Sequence, residues 1–169
     1  MVHLTKIYTK TGDQGFTDLA NKTRTLKSDP VVSAIGTVDE ANSAIGVSEF
    51  RNNIIDRIQN DLFDLGADLA YSATVKITQE RIDWLEITID TLNKYLEPLH
   101  SFVLPTGTLH HARTIVRRAE REVWWAIANE DKDINPLIPV YLNRLSDLLF
   151  VMARYHNVGN EKLWSPMNG

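Results

Sequence analysis

Thr108-Leu109-His110-His111-Ala112-Arg113-Thr114-Ile115-Val116-Arg117-Arg118-Ala119-Glu120-Arg121-Glu122-Val123-Trp124-Trp125-Ala126-Ile127-Ala128-Asn129 decides the fold. At about 100° per residue, Leu109, Ala112, Val116, Ala119, Val123 and Ile127 form one apolar stripe, which predicts a helix over 108–129 with that face in a core. Arg113, Arg117, Glu120, Arg121 and Trp124 form a second stripe about a quarter-turn away, and His110 joins it. The charges thus flank the core boundary, where they can line a groove against a neighbouring helix or subunit.

The same period continues on both sides of this helix. Val31 to Phe50 carries apolar residues at 31, 35, 38, 41, 45 and 47. Ile54 to Ala73 does so through Ile55, Ile58, Leu62, Leu65 and Leu69, and Thr78 to Leu96 through Ile82, Leu85, Ile89, Leu92 and Leu96. A last helix is predicted over 137–155, with Leu142, Leu145, Leu149 and Met152 as its core stripe. Pro30, Pro98, Pro105, Pro136 and Pro139 fall at or near the breaks. Helices of this length on short links pack as an antiparallel bundle. The expected fold is all-α: a five-helix bundle with ferritin-like packing, preceded by an extended N-terminal segment. The expected organisation is one domain over 1–169, with the N-terminal segment at 1–30, the bundle at 31–156 and a tail at 157–169.

Bulk properties narrow the functional classes. A chain of 169 residues with 43% hydrophobic and 24% charged residues can bury a core of its own. A net charge of −4 argues against nonspecific nucleic-acid binding. No apolar run reaches the roughly 20 residues of a membrane span, and the N-terminus reads as lacking a signal-peptide core. Without cysteine there is no disulfide and no thiolate metal site, which is compatible with a reducing, cytoplasmic location. The histidines at 3, 100, 110, 111 and 156 form no metal-ligand spacing, and no serine sits in a nucleophile-elbow motif.

Residues 1–30 are rich in turn formers and read as an extended segment with loops, with a hairpin turn expected at Gly12-Asp13. Within them, Thr9-Lys10-Thr11-Gly12-Asp13-Gln14-Gly15 has the chemistry of a phosphate loop. Its glycines allow close backbone approach, its N–H groups can form an anion nest, Lys10 supplies charge and Thr11 or Thr17 a hydroxyl. It is neither a Walker A nor a dinucleotide fingerprint, and such a stretch alone is more often only a turn. Lys27 can add a second cation or be a surface lysine. The arginine stripe has two readings too: planar, permanently charged donors for phosphate, with Glu120 orienting one of them, or a solvated face laced with ion pairs. An anionic nucleotide held between loop and helix accounts for both features together. Asp39, beside Val38 and Ala41, calls for a cationic partner if it is not simply exposed. Asn143, Asp147, Phe150 and Arg154 share one face of the last helix, where Asn143 can meet a ligand or make inter-helix contacts.

Ile7-Tyr8-Thr9-Lys10-Thr11-Gly12-Asp13, Gly36-Thr37-Val38-Asp39-Glu40, Phe102-Val103-Leu104-Pro105, Arg117-Arg118-Ala119-Glu120-Arg121 and Tyr141-Leu142-Asn143-Arg144-Leu145-Ser146-Asp147 follow one another in that order. This succession resembles the PduO-type ATP:cob(I)alamin adenosyltransferases over nearly the whole chain. The resemblance implies a homotrimer of five-helix bundles with active sites between subunits. It implies transfer of the 5′-deoxyadenosyl group of ATP to the cobalt of reduced cobalamin, release of triphosphate, and assistance by Mg²⁺ or a similar cation. A reductase or an adenosylcobalamin-dependent enzyme is an implied partner.

By the same resemblance, Thr9, Lys10, Thr11 and Gly12 with Thr17 and Asp18 wrap the ATP phosphates. Lys27, Arg117, Arg118, Glu120, Arg121 and Asn143 fall on ATP-binding positions. Arg113 falls on an arginine that pairs across the subunit interface with the acid matching Asp39, and Phe102 on an aromatic that excludes the lower axial base of the corrinoid. The chain departs from the family in lacking a Gly-Gly near Ala20-Asn21-Lys22 and in a shortened link from Phe102 to Arg113. A different class stays open beside this one: a non-catalytic ATP-binding sensor or chaperone-like module, or a helical bundle whose arginines are only surface charge.

Overall fold

A computed structural model describes residues 7–71, 73–129 and 133–166. Among these the chain forms a two-stranded antiparallel hairpin, β1 (Phe16–Asp18) and β2 (Arg24–Leu26), then α1 (Pro30–Gly46), α2 (Asn53–Ala70), α3 (Gln79–Asn93), α4 (Gly107–Asn129) and α5 (Leu137–His156). The all-α expectation holds. Side by side the helices run α2, α1, α4, α5, α3, so α4 stands at the centre between α1 and α5. Helices α1 and α4 run antiparallel: Arg118 of α4 pairs with Glu40 of α1, and Glu122, further along α4, accepts from Ser33, nearer the start of α1.

Local chemistry sets the helix ends. The Asp29 carboxylate accepts from Val31 N at 2.8 Å, and Pro30 fits the first turn of α1, where no N–H is needed. The Asn52 side chain accepts from Ile54 N and Ile55 N, both at 3.0 Å, to start α2. Helix α1 stops at Gly46, short of the predicted 50. Ser48 turns the chain, accepting from Phe50 N at 3.2 Å, and leaves Val47 71% exposed instead of in the core. Helices α2 and α3 also end about three residues early. After α2, the buried Asp68 carboxylate collects Lys76 N, Ile77 N and Thr74 Oγ1 and pins the connection to α3.

One continuous core takes residues from every helix, including Val31, Val38, Ile55, Leu62, Ile82, Leu85, Ala112, Ala119, Leu142 and Leu149. In α4 the buried stripe is Leu109, Ala112, Ile115, Val116, Ala119, Val123 and Ala126; Ile127 moves to the flank. His110, placed by periodicity on the charged stripe, is instead buried at 3% exposure, because α5 covers that side of α4 and presents Phe150 to it edge-on at 5.8 Å. Trp124 and Trp125 stay half exposed, so neither packs in the core of this chain.

Candidate functional site

The N-terminal loop is a built structure. Gly15 N donates to Gly12 O at 3.2 Å, closing a turn over 12–15 that precedes the hairpin. The reversal between the strands lies later, at Leu19–Thr23, where Lys22 N donates to Leu19 O at 2.8 Å. Lys22 holds φ +65° there, the left-handed conformation that glycine adopts without cost. Lys10 also has a positive φ, of 60°. At Gly12 an added Cβ would lie 3.1 Å from Lys27 Nζ and 3.2 Å from the Phe16 carbonyl. Glycine therefore lets the Lys27 ammonium lie against the loop backbone. Thr9 and Thr11 hydroxyls sit 2.9 Å apart and face solvent.

Arg24 was not legible as a site residue. It donates to Thr11 O at 2.8 Å, pairs with Asp18 at 3.3 Å across the strand register and lies over the Phe16 ring at 5.5 Å. It braces the loop from below. The Asp18–Arg24 spacing across a hairpin was the one available signal. Thr17 lies half-buried on β1 between these neighbours.

On α4 the arginines separate by flank. Arg118 turns to α1 and Glu40, away from the ridge. Arg121 Nη1 donates to Arg117 O at 3.1 Å, one turn back on its own helix. The Arg117 guanidinium has no protein partner among the described residues, nor do the side-chain ammonium groups of Lys10 and Lys27. Arg113 lies with its guanidinium 5.9 Å from the centre of the Phe150 ring, and its buried Nε finds no acceptor. Burial, reinforced by the nearby Arg117 charge, lowers its pKa. A partly desolvated guanidinium without a carboxylate is costly, so this ridge is poised for an anion. Glu120, expected to orient an arginine, instead accepts from Asn143 Nδ2 of α5 at 3.4 Å, and Asn143 Oδ1 accepts from Arg144 Nη1 at 3.0 Å.

Asp39 lies on a different face. It borders an apolar groove between α1 and α2 with Ile35, Asn42, Phe63 and Gly66, and has no ion-pair partner among the described residues. Within one chain the structure does not join Asp39 to Arg113, nor the N-terminal loop to the arginine ridge, by any hydrogen bond or ion pair among the described residues. Phe102, in the link before α4, is 78% exposed and packs edge-to-face on Trp164 at 6.2 Å. No trio of His, Asp or Glu side chains among the described residues is placed to hold a metal, and no helix is long and apolar enough to cross a membrane.

Three comparisons bear on this arrangement. Residues 7–156 match the family model described as cobalamin adenosyltransferase. The corrinoid adenosyltransferase of Mycobacterium leprae is 45% identical over 187 aligned positions, covering 98% of each chain. That of Bacillus subtilis is 41% identical, covering 90% of this chain and 86% of its own. Among solved structures, a phenylalanine-to-alanine variant of the PduO-type ATP:corrinoid adenosyltransferase from Lactobacillus reuteri, complexed with cobalamin and ATP, superposes with a TM-score of 0.85 at 38% identity, over 96% of this chain and 100% of that one. An arginine-to-lysine variant of the same enzyme, complexed with ATP, gives a TM-score of 0.86 over 94% of this chain and 100% of that one. A family match over residues 7–156, relatives aligned along nearly the whole chain and the shared five-helix architecture together show that the chain belongs to the cobalamin adenosyltransferase family.

Proposed function

We propose that this protein transfers the 5′-deoxyadenosyl group of ATP to the cobalt of cob(I)alamin, releasing triphosphate. The observation that carries the reading is the pair of cationic surfaces without acidic partners among the described residues, the Lys10–Lys27 loop and the Arg113–Arg117 ridge, inside a family match over residues 7–156. In the transfer a Co–C bond forms to C5′ and the C5′–O bond breaks, its electron pair leaving with the triphosphate. Co(I) is itself a strong nucleophile, so no protein base is needed. The chain's task is to bear the charge that grows on the leaving group and to align C5′ with cobalt.

Loop N–H groups, Lys10 and Lys27 and the hydroxyls of Thr9, Thr11 and Thr17 suit the β- and γ-phosphates. Arg117 and Arg121 suit oxygens nearer the scissile bond, with Asn143 as a hydrogen-bonding partner held by Glu120. Asp18 acts through Arg24, which fixes the Thr11 carbonyl. Arg118 contributes by tying α4 to α1. Mg²⁺ fits as a companion of the triphosphate: the described residues offer the Thr9 and Thr11 hydroxyls 2.9 Å apart and no carboxylate cluster, so phosphate oxygens would supply most of its ligands. When bound it neutralises phosphate charge.

Among the described residues of one chain no hydrogen bond or ion pair joins loop and ridge, and Asp39 and Arg113 each lack an ion-pair partner. Both facts support a homotrimer in which Asp39 of one subunit meets Arg113 of the next and the ATP site forms between them. Phe102, held out in solvent, suits the lower face of the corrin ring. A single domain fits the continuous core, and a cytoplasmic location fits a chain without cysteine. The direct test mixes the protein with ATP, Mg²⁺ and chemically reduced cobalamin and follows the light-sensitive Co–C chromophore. Its appearance is expected; ATP binding without it would mean a sensor, and neither would mean a structural bundle.

A further inference from the structure

We propose that Arg154, Glu161 and Trp164 are positioning residues that hold Phe102 in its working place, an inference that rests on the reading of Phe102 as the residue facing the corrinoid. Phe102 sits in the irregular link between α3 and α4, with prolines at 98 and 105 and little packing of its own. A side chain so exposed would sample many orientations unless its backbone were held. The C-terminal segment after α5 supplies that hold. It reverses through a turn in which Asn160 N donates to Asn157 O at 2.8 Å, and Gly159 takes φ +81°. It then runs antiparallel to the link, bridging Val103 to Leu163.

The clip grips Phe102 on both sides. Trp164 N donates to Phe102 O at 2.7 Å, Leu104 N to Lys162 O at 2.8 Å, and Ser101 Oγ to Trp164 O at 2.8 Å. The Trp164 ring meets the Phe102 ring at 65°. Beneath the clip, Arg154 is buried on α5 at 6% exposure. Its Nε donates to Glu161 Oε1 at 2.8 Å, and its Nη2 donates to the Glu97 carbonyl at 2.9 Å. One guanidinium therefore fastens the start of the link and the C-terminal segment to the same point of the bundle. A planar donor fork suits this double task, which an ammonium could not perform with the same geometry.

The test uses full-length Glu161→Gln, Trp164→Ala and Phe102→Ala proteins. It reads KM for ATP, KM for cobalamin, kcat, and the fraction of bound Co(II)alamin that is four-coordinate, from its absorption and EPR spectra. Glu161→Gln and Trp164→Ala should each lower kcat and the four-coordinate fraction by about threefold or more, with KM for ATP within about twofold of the parent. If Phe102→Ala abolishes the four-coordinate signal while the other two variants keep it, the clamp is refuted and the role of Phe102 stands. If Phe102→Ala changes nothing, that role fails and takes the clamp with it. A rise in KM for ATP parallel to the loss of signal would also overturn the proposal, since it would mean general loosening. Should Glu161→Gln not fold, Trp164→Ala, at a half-exposed position, decides alone.

Discussion

Two arginine systems in this molecule differ in what surrounds them. Between α2, α3 and α5, Arg81 donates to Asp61 at 2.8 Å and to Asp64 at 2.7 Å, while the buried Tyr141 hydroxyl donates to the second Asp61 oxygen at 3.0 Å. Lys76 closes the set on Asp64 at 2.8 Å. Every charge there has an internal answer. On the outer side of α4, Arg113 and Arg117 have none among the described residues. The saturated system belongs to the fold. The unsaturated one leaves donors without acceptors among the described residues, and partial burial of Arg113 without a carboxylate costs stability that an anion beside it would offset.

Substitutions should separate the two systems cleanly. The largest effect is expected from Arg117→Ala: about 10²- to 10³-fold loss in kcat/KM for ATP, from removal of a donor to the leaving group, with little change in Tm. Activity near the parent value in a folded variant would remove Arg117 from the site. Arg81→Ala should do the reverse, costing about 3 kcal/mol in urea unfolding because the buried Asp61 loses its close cation and keeps only Arg57 at 4.0 Å, while kcat in the surviving folded protein stays near that of the parent. If Arg81→Ala instead spared stability and abolished turnover, the distinction between the systems would fail. Asp39→Asn should lower turnover about tenfold and shift sedimentation toward smaller species, as expected for an ion pair lost between subunits. Unchanged sedimentation and turnover together would end its interface role.

The smallest effect is a pH slope. Burial first, and the Arg113 charge next, lower the His110 pKa below 6.5, with Glu161 opposing. The unfolded chain therefore takes up a proton that the folded chain resists. His110 contributes stability above about pH 6.5 that is lost as pH falls toward its folded pKa, by at most about 1.4 kcal/mol per pH unit. His156, lowered by burial, adds in the same direction. His110→Gln should flatten the fall in unfolding free energy between pH 6.5 and 5; an unaltered slope would place the titration elsewhere.

Much of this was legible in the chain. Glycine and threonine mark the turn positions in the N-terminal loop, and Lys27 reads from the sequence as a candidate second cation, which the structure sets against Gly12. The hairpin was not placed correctly, because its reversal uses Lys22 in a left-handed conformation that periodicity does not report. His110 was misplaced because a helical wheel gives angle and not which neighbour covers it. The clip over Phe102 gave no signal at all, since an isolated bridge between residues 103 and 163 has neither period nor spacing.

The amino-acid order by itself determined the helices, their buried stripes and the ridge of guanidinium groups, since each follows from the turn-by-turn geometry of a single segment. Tertiary structure alone decided which charges are neutralised. Arg118 finds Glu40, Arg81 finds Asp61 and Asp64, and Arg154 finds Glu161, whereas Arg113 and Arg117 find no acceptor among the described residues. Charge pairing depends on distances of a few ångströms between segments far apart in the chain, and no local repeat encodes them.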